Sequence, residues 1–365
     1  MQLENFITQL RKEKDYWLSF YKPSEILYKK LILPKKIETI IEDTNNKAIT
    51  LIKYLYNNFF DDIKNYLTLP QIEKTKLEAF NYFHRYDLFF DKQWNPKIVE
   101  FNMDVAWGHI ETLIMNDIII SKLFLKNFIN WLKKHLIDGN IFIVVSTSYR
   151  EDYKIWLLIK KIIEIFLNKK ANIVSPIQLS YKKGYIYYDD IPINNLIRYY
   201  PWDRFLPLDL KTKTNILNPK QSFLFQQKSL FSFMRENIWK FNKNIQQIIK
   251  QLIPYTIKLE KIKLKDIIKN KNKRVIKHIN DREWNNIFIW ELLTQEKWEK
   301  ILQKALKQYD YYVLQEKIDF ITTNDNFFLN FWIYNIDFEY SWIYLRLHRK
   351  IKTDISSSII GLKFK

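Results

Sequence analysis

The chain has 365 residues and a formal net charge of +19, with 47% apolar and 17% aromatic side chains. It has no cysteine and only four glycines: Gly108, Gly139, Gly184 and Gly361. This excludes disulfides, thiolate metal sites and cysteine nucleophiles, and the phosphate loops G-x-G-x-x-G and G-x-x-x-x-G-K-[ST], for which no two glycines lie close enough.

The 59 basic against 40 acidic residues raise nucleic acid as a partner. Composition offers a simpler source. Lys, Asn, Ile, Phe and Tyr are abundant while Gly, Pro and Ala are scarce, the bias of an A+T-rich coding sequence. The length suits two or three lobes. The opening MQLENFITQLRKEKDYW has no signal-peptide core, and no apolar run approaches the ~18 residues of a membrane span. The expected location is therefore cytoplasmic, with no membrane partner.

In chain order, the first 80 residues are predicted helical. Ile37, Ile41, Ala48, Leu51, Ile52, Leu55 and Phe59 recur mostly at three- and four-residue spacing. Pro70 interrupts the pattern, and a helix is predicted to resume over 71–84. The period then changes to two. Residues 85–91 (RYDLFFD) and 97–103 (KIVEFNM) are predicted strands joined near Asn95-Pro96, followed by a helix over 109–134. Residues 141–146 (IFIVVS) suit a buried strand. A helix near 152–168 and strands near 172–175, 184–188 and 195–200 continue an α/β pattern. Residues 219–252 are predicted helical. The stretch 258–278 holds eight Lys and one Arg against Glu260 and Asp266, and reads as a solvated face. Strands are predicted near 273–279 and 286–290, a helix near 291–307, and strands near 311–318, 328–335 and 342–349. In the last, Ile343, Leu345 and Leu347 face one way and Tyr344, Arg346 and His348 the other.

The candidate chemistry lies in 85–104. Alternation puts Arg85 and Asp87 on one face of their strand, and Glu100, Asn102 and Asp104 on one face of the next. If the strands pair, a cation and several oxygen ligands gather on one surface. Carboxylate and amide oxygens suit Mg2+ beside phosphates, and an arginine there suits a transferring phosphoryl group. A solvated hairpin face accounts for the same residues. The flanking His84 and His109 are expected to pack or hydrogen-bond rather than bind metal.

Several motifs, in order, resemble the glutathionylspermidine synthase-like family. They are Arg85-Tyr86-Asp87, then Glu100-Phe101-Asn102-Met103-Asp104, then Tyr200-Pro201-Trp202, read as a rigid corner. Asn218-Pro219 leading to Lys228, Val275-Ile276-Lys277, Gln315-Glu316 and Arg346 complete the set. The resemblance covers roughly 78–365. It implies an α/β, circularly permuted ATP-grasp fold without the family's amidase domain. A helical N-terminal region would occupy 1–77, the metal-site hairpin and helix 78–136, a small α/β lobe 137–215, and the nucleotide-binding lobes 216–365.

The implied activity is an ATP-dependent carboxylate–amine ligase. ATP phosphorylates a carboxylate, and an amine attacks the acyl phosphate to give an amide. Asp87, Glu100 and Asn102 would hold Mg2+, as one ion or two. Arg85 would stabilise the γ-phosphoryl group, and Arg346 would add positive charge. Lys228 and Lys277 would meet the α- and β-phosphates, while Gln315 and Glu316 would receive adenine. The family places a glycine-bearing loop over the phosphates. Here that loop, HINDREWNN at 278–286, has none, and Arg282 is its candidate phosphate contact. The implied substrates are small-molecule or peptide carboxylates and amines, and a homodimer is left open. The glycine-free loop motivates an alternative, a catalytically degenerate scaffold that binds a ligand or partner. A basic nucleic-acid-binding protein ranks last, because no nucleic-acid module is recognisable.

Overall fold

A computed structural model describes residues 2–21, 26–69, 71–74, 83–104, 108–145, 150–204, 211–262, 264–280, 287–323, 325–348 and 358–364. It is a mixed α/β structure. The largest sheet has six strands, in the order Ile26–Leu33, Ser358–Phe364, Glu339–His348, Phe328–Ile336, Phe83–Phe90 and Pro96–Asn102. The first pair is parallel and the others antiparallel.

Both faces of this sheet are covered. On one, Tyr86, Leu88, Phe101, Phe331, Ile333, Ile343 and Leu345 pack against Ile41, Leu55 and Phe60 of the helix Lys35–Tyr66, and against Ile249 of the helix Lys243–Leu252. On the other, Trp332, Tyr334, Trp342 and Tyr344 pack against Ile110, Leu113, Phe124 and Phe128 of the helices His109–Met115 and Ile118–His135. Every residue of Phe83–Phe90 is buried, as in a strand covered on both sides.

A parallel sheet of four strands, ordered Asn215–Leu217, Asn195–Arg198, Ile141–Val144 and Ala171–Val174, lies beyond these helices, with a three-stranded meander over residues 179–192 beside it. A third sheet is antiparallel, in the order Thr256–Lys258, Tyr312–Glu316, Arg274–His278 and Ile287–Ile289. Ile276, Tyr312 and Leu314 on its one face pack against Trp298, Leu302 and Ala305 of the helix Gln295–Lys307.

The structure corrects several sequence expectations. Ile26–Leu33 is a strand and not a helix, because its partner Ser358–Phe364 comes from the far end of the chain, beyond any local periodicity. Residues 71–74 are not helical, and Phe83 and His84 already belong to a strand; the rest of that predicted helix, 75–82, lies outside the described residues. The helix expected over 109–134 is two, parted at Asn116 and Asp117. There the Asp117 carboxylate accepts from the Ile118 backbone N–H at 2.7 Å. The region 219–252 divides into Ser222–Gln226, Ser229–Glu236 and Lys243–Leu252, the last capped by Asn242, whose Oδ1 accepts from Ile245 N–H at 3.0 Å. Among the described residues no helix is long and apolar enough to cross a membrane.

Candidate functional site

The hairpin of Phe83–Phe90 and Pro96–Asn102 sets Arg85 opposite Asn102 and Asp87 opposite Glu100. Residues opposite one another in a ladder share a face, so these four project together. The next strand adds Trp332 opposite Asp87 and Tyr334 opposite Arg85, and the one beyond adds Arg346 opposite Asn330. This surface is not a solvated hairpin face, since Arg85 is 8% and Asp87 7% exposed.

Asp87 is the hub. Its Oδ1 accepts from Arg85 Nε and Asn102 Nδ2, each at 3.0 Å, and its Oδ2 accepts from Asn330 Nδ2 at 3.1 Å. Burial pushes its carboxyl above the ordinary range; Arg85 opposes that shift and the charge of Glu100 adds to it. The Arg85 guanidinium lies 3.6 Å from the centre of the Trp332 ring, and that of Arg346 lies 4.6 Å from it. The indole thus orients two guanidiniums, a contact that gains strength away from water. Arg346 makes no ion pair among the described residues.

The two lysines arrive from elsewhere. Lys228 stands immediately ahead of the helix Ser229–Glu236, and its backbone N–H donates to Ile279 O at 3.2 Å. Its Nζ pairs with Glu100 Oε1 at 3.1 Å. Lys277 lies on Arg274–His278, one of the two inner strands of the antiparallel sheet, and its Nζ donates to Val99 O at 3.4 Å. Burial lowers its pKa to about 8; Glu100 opposes the shift and Lys228 reinforces it.

Gln315 shares Lys277's face of that sheet and is buried, its Nε2 donating to Thr256 Oγ1 at 3.1 Å. On the same face Val275, Ile287 and Ile289 form a small apolar cluster, separate from the core under the helix. Glu316 is exposed and accepts from Tyr255 N–H at 3.1 Å. Arg282 lies outside the described residues, as does the rest of the loop over 281–286.

Asp104 was expected beside Glu100 and Asn102, but it lies past the strand and faces elsewhere. Its Oδ1 pairs with Arg198 Nη2 at 2.6 Å, with both side chains fully buried, and its Oδ2 accepts from Trp202 N–H at 2.9 Å. Arg198 also donates to Asn218 O and Tyr200 O, at 2.9 and 2.6 Å. The hairpin, Tyr200-Pro201-Trp202 and Asn218-Pro219 therefore meet at one buried ion pair. Arg198 was not singled out in the sequence. His109 is buried against Phe83, rings 4.8 Å apart, with Tyr199 Oη 3.0 Å from its Nδ1.

Sequence reasoning also missed Asn330, Trp332, Tyr334 and Glu111. Glu111 is fully buried; burial raises its carboxyl pKa, while the hydroxyl of Tyr21 donates to Oε1 at 2.5 Å and opposes the rise. The predicted strand over 328–335 alternates Asn330, Trp332 and Tyr334 on one side. Only its pairing with Phe83–Phe90 reveals where that side faces.

No protein-family model matches the sequence, and no curated protein matches it. Among solved structures, the chain is similar to a glutathione synthetase-like effector from Globodera pallida, in its apo form. Identity is 12% and the TM-score 0.59, with 99% of this chain and 97% of that one covered. It is also similar to a protein from Methylobacillus flagellatus assigned as a gamma-glutamylcysteine synthetase, at 12% identity and a TM-score of 0.51, over 86% of this chain and 85% of that one. The likeness shows the fold. This chain shares a synthetase-like α/β architecture, in the first case along nearly its whole length.

Proposed function

We propose that the protein is an ATP-dependent carboxylate–amine ligase acting in the cytoplasm on a peptide or amino-acid-derived substrate. Its core would be a circularly permuted ATP-grasp of the glutathionylspermidine synthase-like kind, with the nucleotide lobes in 216–365 and the metal hairpin in 78–136. The observation that carries this reading is the meeting of Arg85, Asp87, Glu100, Asn102, Lys228 and Lys277, from three separate parts of the chain, in one polar group, of which Glu100 and Asn102 are half-buried and the rest buried.

The donor set fits a hard divalent cation. No group of three or more His, Cys, Asp or Glu gathers among the described residues. A cation here would therefore be held by two carboxylates with amide oxygens, which favours Mg2+ over softer metals. Asn330 Oδ1, beside Asp87, is buried and has no hydrogen-bond partner among the described residues. Asp87, Glu100 and Asn102 would hold Mg2+, which when bound neutralises phosphate charge.

Arg85, held over the Trp332 ring, would meet the γ-phosphoryl group as a substrate carboxylate oxygen attacks phosphorus and ADP leaves. Arg346 would stabilise the acyl phosphate until an amine displaces phosphate. Lys228 and Lys277 would serve as point charges for the α- and β-phosphates, with Arg282 a further contact. Gln315 and Glu316, with the apolar cluster of Val275, Ile287 and Ile289, suit an adenine slot. No covalent enzyme intermediate is needed, and positioning with electrostatics supplies the rate.

One observation favours the degenerate-scaffold reading. Asp87 already accepts three hydrogen bonds and Glu100 an ion pair, so these acids are satisfied within the protein. The test measures binding of an ATP analogue with Mg2+, and ADP release with mixed carboxylates and amines, in the wild type and in Glu100→Ala. ADP release that Glu100→Ala abolishes supports the ligase. Binding without release across a broad substrate screen supports the scaffold. Absence of nucleotide binding overturns the ligase.

A further inference from the structure

Of Arg85, Asn102 and Asn330, the donors to Asp87 described above, Asn330 is the one that no sequence motif marks. It lies on Phe328–Ile336, between the hairpin and the strand of Arg346, and it is 1% exposed. Its Nδ2 donates to Asp87 Oδ2 at 3.1 Å, and its Oδ1 is buried with no hydrogen-bond partner among the described residues. Buried amide oxygens are almost always partnered, so an unpartnered one beside a carboxylate hub calls for an explanation.

Asn102 stands in a matching relation to the same carboxylate, its Nδ2 donating to Asp87 Oδ1 at 3.0 Å. The two ends of a carboxamide have nearly the same shape but opposite hydrogen-bonding character. A half turn about the last side-chain bond presents oxygen where nitrogen stood. Arg85, the third donor to Asp87, has no acceptor to offer.

We propose that Asn330 is an oxygen ligand of the divalent cation held by Asp87, Glu100 and Asn102. The inference rests on the nucleotide and metal reading given above. Four oxygen-bearing side chains from three adjacent strands would then surround the ion: Asp87 on one, Glu100 and Asn102 on the second, Asn330 on the third. Amide carbonyls serve hard cations alongside carboxylates. All three strands belong to one hydrogen-bonded sheet, so Asn330 is held by backbone pairing and not by a loop.

The test uses the full chain and Mn2+ as the probe, with its bound fraction read by electron paramagnetic resonance in the presence of a non-hydrolysable ATP analogue. Three substitutions are compared. Asn330→Leu keeps the branched shape and removes the oxygen, Asn330→Asp keeps the oxygen and adds charge, and Asn330→Ala covers the case in which the bulkier Leu does not fold. The expected result is Mn2+ affinity reduced roughly tenfold or more in Asn330→Leu or Asn330→Ala, and retained or tightened in Asn330→Asp.

A residue that only donates to Asp87 predicts the opposite for Asn330→Asp, because a second carboxylate in place of the donor repels the first. Loss of affinity in Asn330→Asp, or affinity within twofold of wild type in Asn330→Leu or Asn330→Ala, overturns the proposal while leaving the nucleotide reading intact. Failure of the wild type to bind Mn2+ with the analogue overturns the nucleotide reading itself, and this inference with it.

Discussion

Lys277 Nζ lies 3.4 Å from the carbonyl oxygen of Val99, the residue that the bulge opposite Asp87 and Leu88 leaves without a ladder partner. A bulge frees a backbone carbonyl at the point where pairing slips, and here a buried lysine from another sheet takes it. The contact joins the antiparallel sheet to the carboxylate hairpin. It also leaves Lys277 poorly solvated, which is why its pKa falls to about 8.

The affinity for an ATP analogue is therefore expected to fall as pH rises through about 8, where Lys277 loses its charge. Lys277→Met should bind the analogue roughly tenfold or more weakly, on the scale of one charged hydrogen bond, and should lose that pH dependence. Stability moves in the other direction. Between pH 8 and the ordinary lysine value of 10.5 the unfolded chain binds more protons than the folded one, so stability rises with pH across that window. Calorimetric titration at several pH values checks the first claim, and denaturant unfolding the second.

Asp104→Ala is expected to destabilise the fold by about 3–5 kcal/mol, because it strands the Arg198 guanidinium in a fully buried site. Asp104 lies within the E-x-N-x-D motif, yet its partners are Arg198 and the Trp202 backbone. The effect should thus appear in urea unfolding and not as a selective loss of Mn2+ binding. Glu100→Ala should lose Mn2+ binding, and some stability with it, because it takes from the buried Lys228 the carboxylate it pairs with.

The polar hairpin was legible because two strands of period two announce their faces, and a strand pair then fixes which side chains meet. Lys277 and Arg346 were legible as strand residues for the same reason. Asn330, Trp332 and Arg198 were not, since each owes its place to a neighbour distant in sequence. Asn330 is drawn in by Asp87 across a sheet register, and Arg198 by Asp104 across two sheets. The strand Ile26–Leu33 was misread on the same ground, its partner being the last strand described.

His84 and His109 are both buried, and burial pulls each pKa to about 3. Between the ordinary value of 6.5 and about 3 the unfolded chain takes up protons that the folded chain refuses. The stability these two residues supply is present above pH 6.5 and is lost as pH falls through that window. His109→Phe keeps an aromatic ring against Phe83 and should reduce the slope of stability against pH between 6 and 4, read by urea unfolding. It also removes the contact with Tyr199, so a modest loss at neutral pH is expected, roughly 1 kcal/mol.

Gly108 is the glycine that touches the candidate site. Its φ is +113°, and a Cβ added there would fall 1.9 Å from Tyr334 Oη, 3.0 Å from Tyr334 Cζ and 3.4 Å from Trp332 Cε3. Gly108→Ala therefore meets two separate penalties. The backbone conformation alone costs about 1–3 kcal/mol for a residue with a side chain. The contact with Tyr334 then pushes on the ring opposite Arg85 and on the indole that holds both guanidiniums. Loss of stability should thus be accompanied by weaker ATP-analogue binding. Tyr334→Phe in the same chain removes the hydroxyl at 1.9 Å but leaves the ring carbon at 3.0 Å and the positive φ. The double variant should recover part of the stability lost in Gly108→Ala, appearing as a favourable coupling in a double-mutant cycle measured by urea unfolding. Purely additive losses would show that the ring yields freely and that the backbone alone demands glycine at this position.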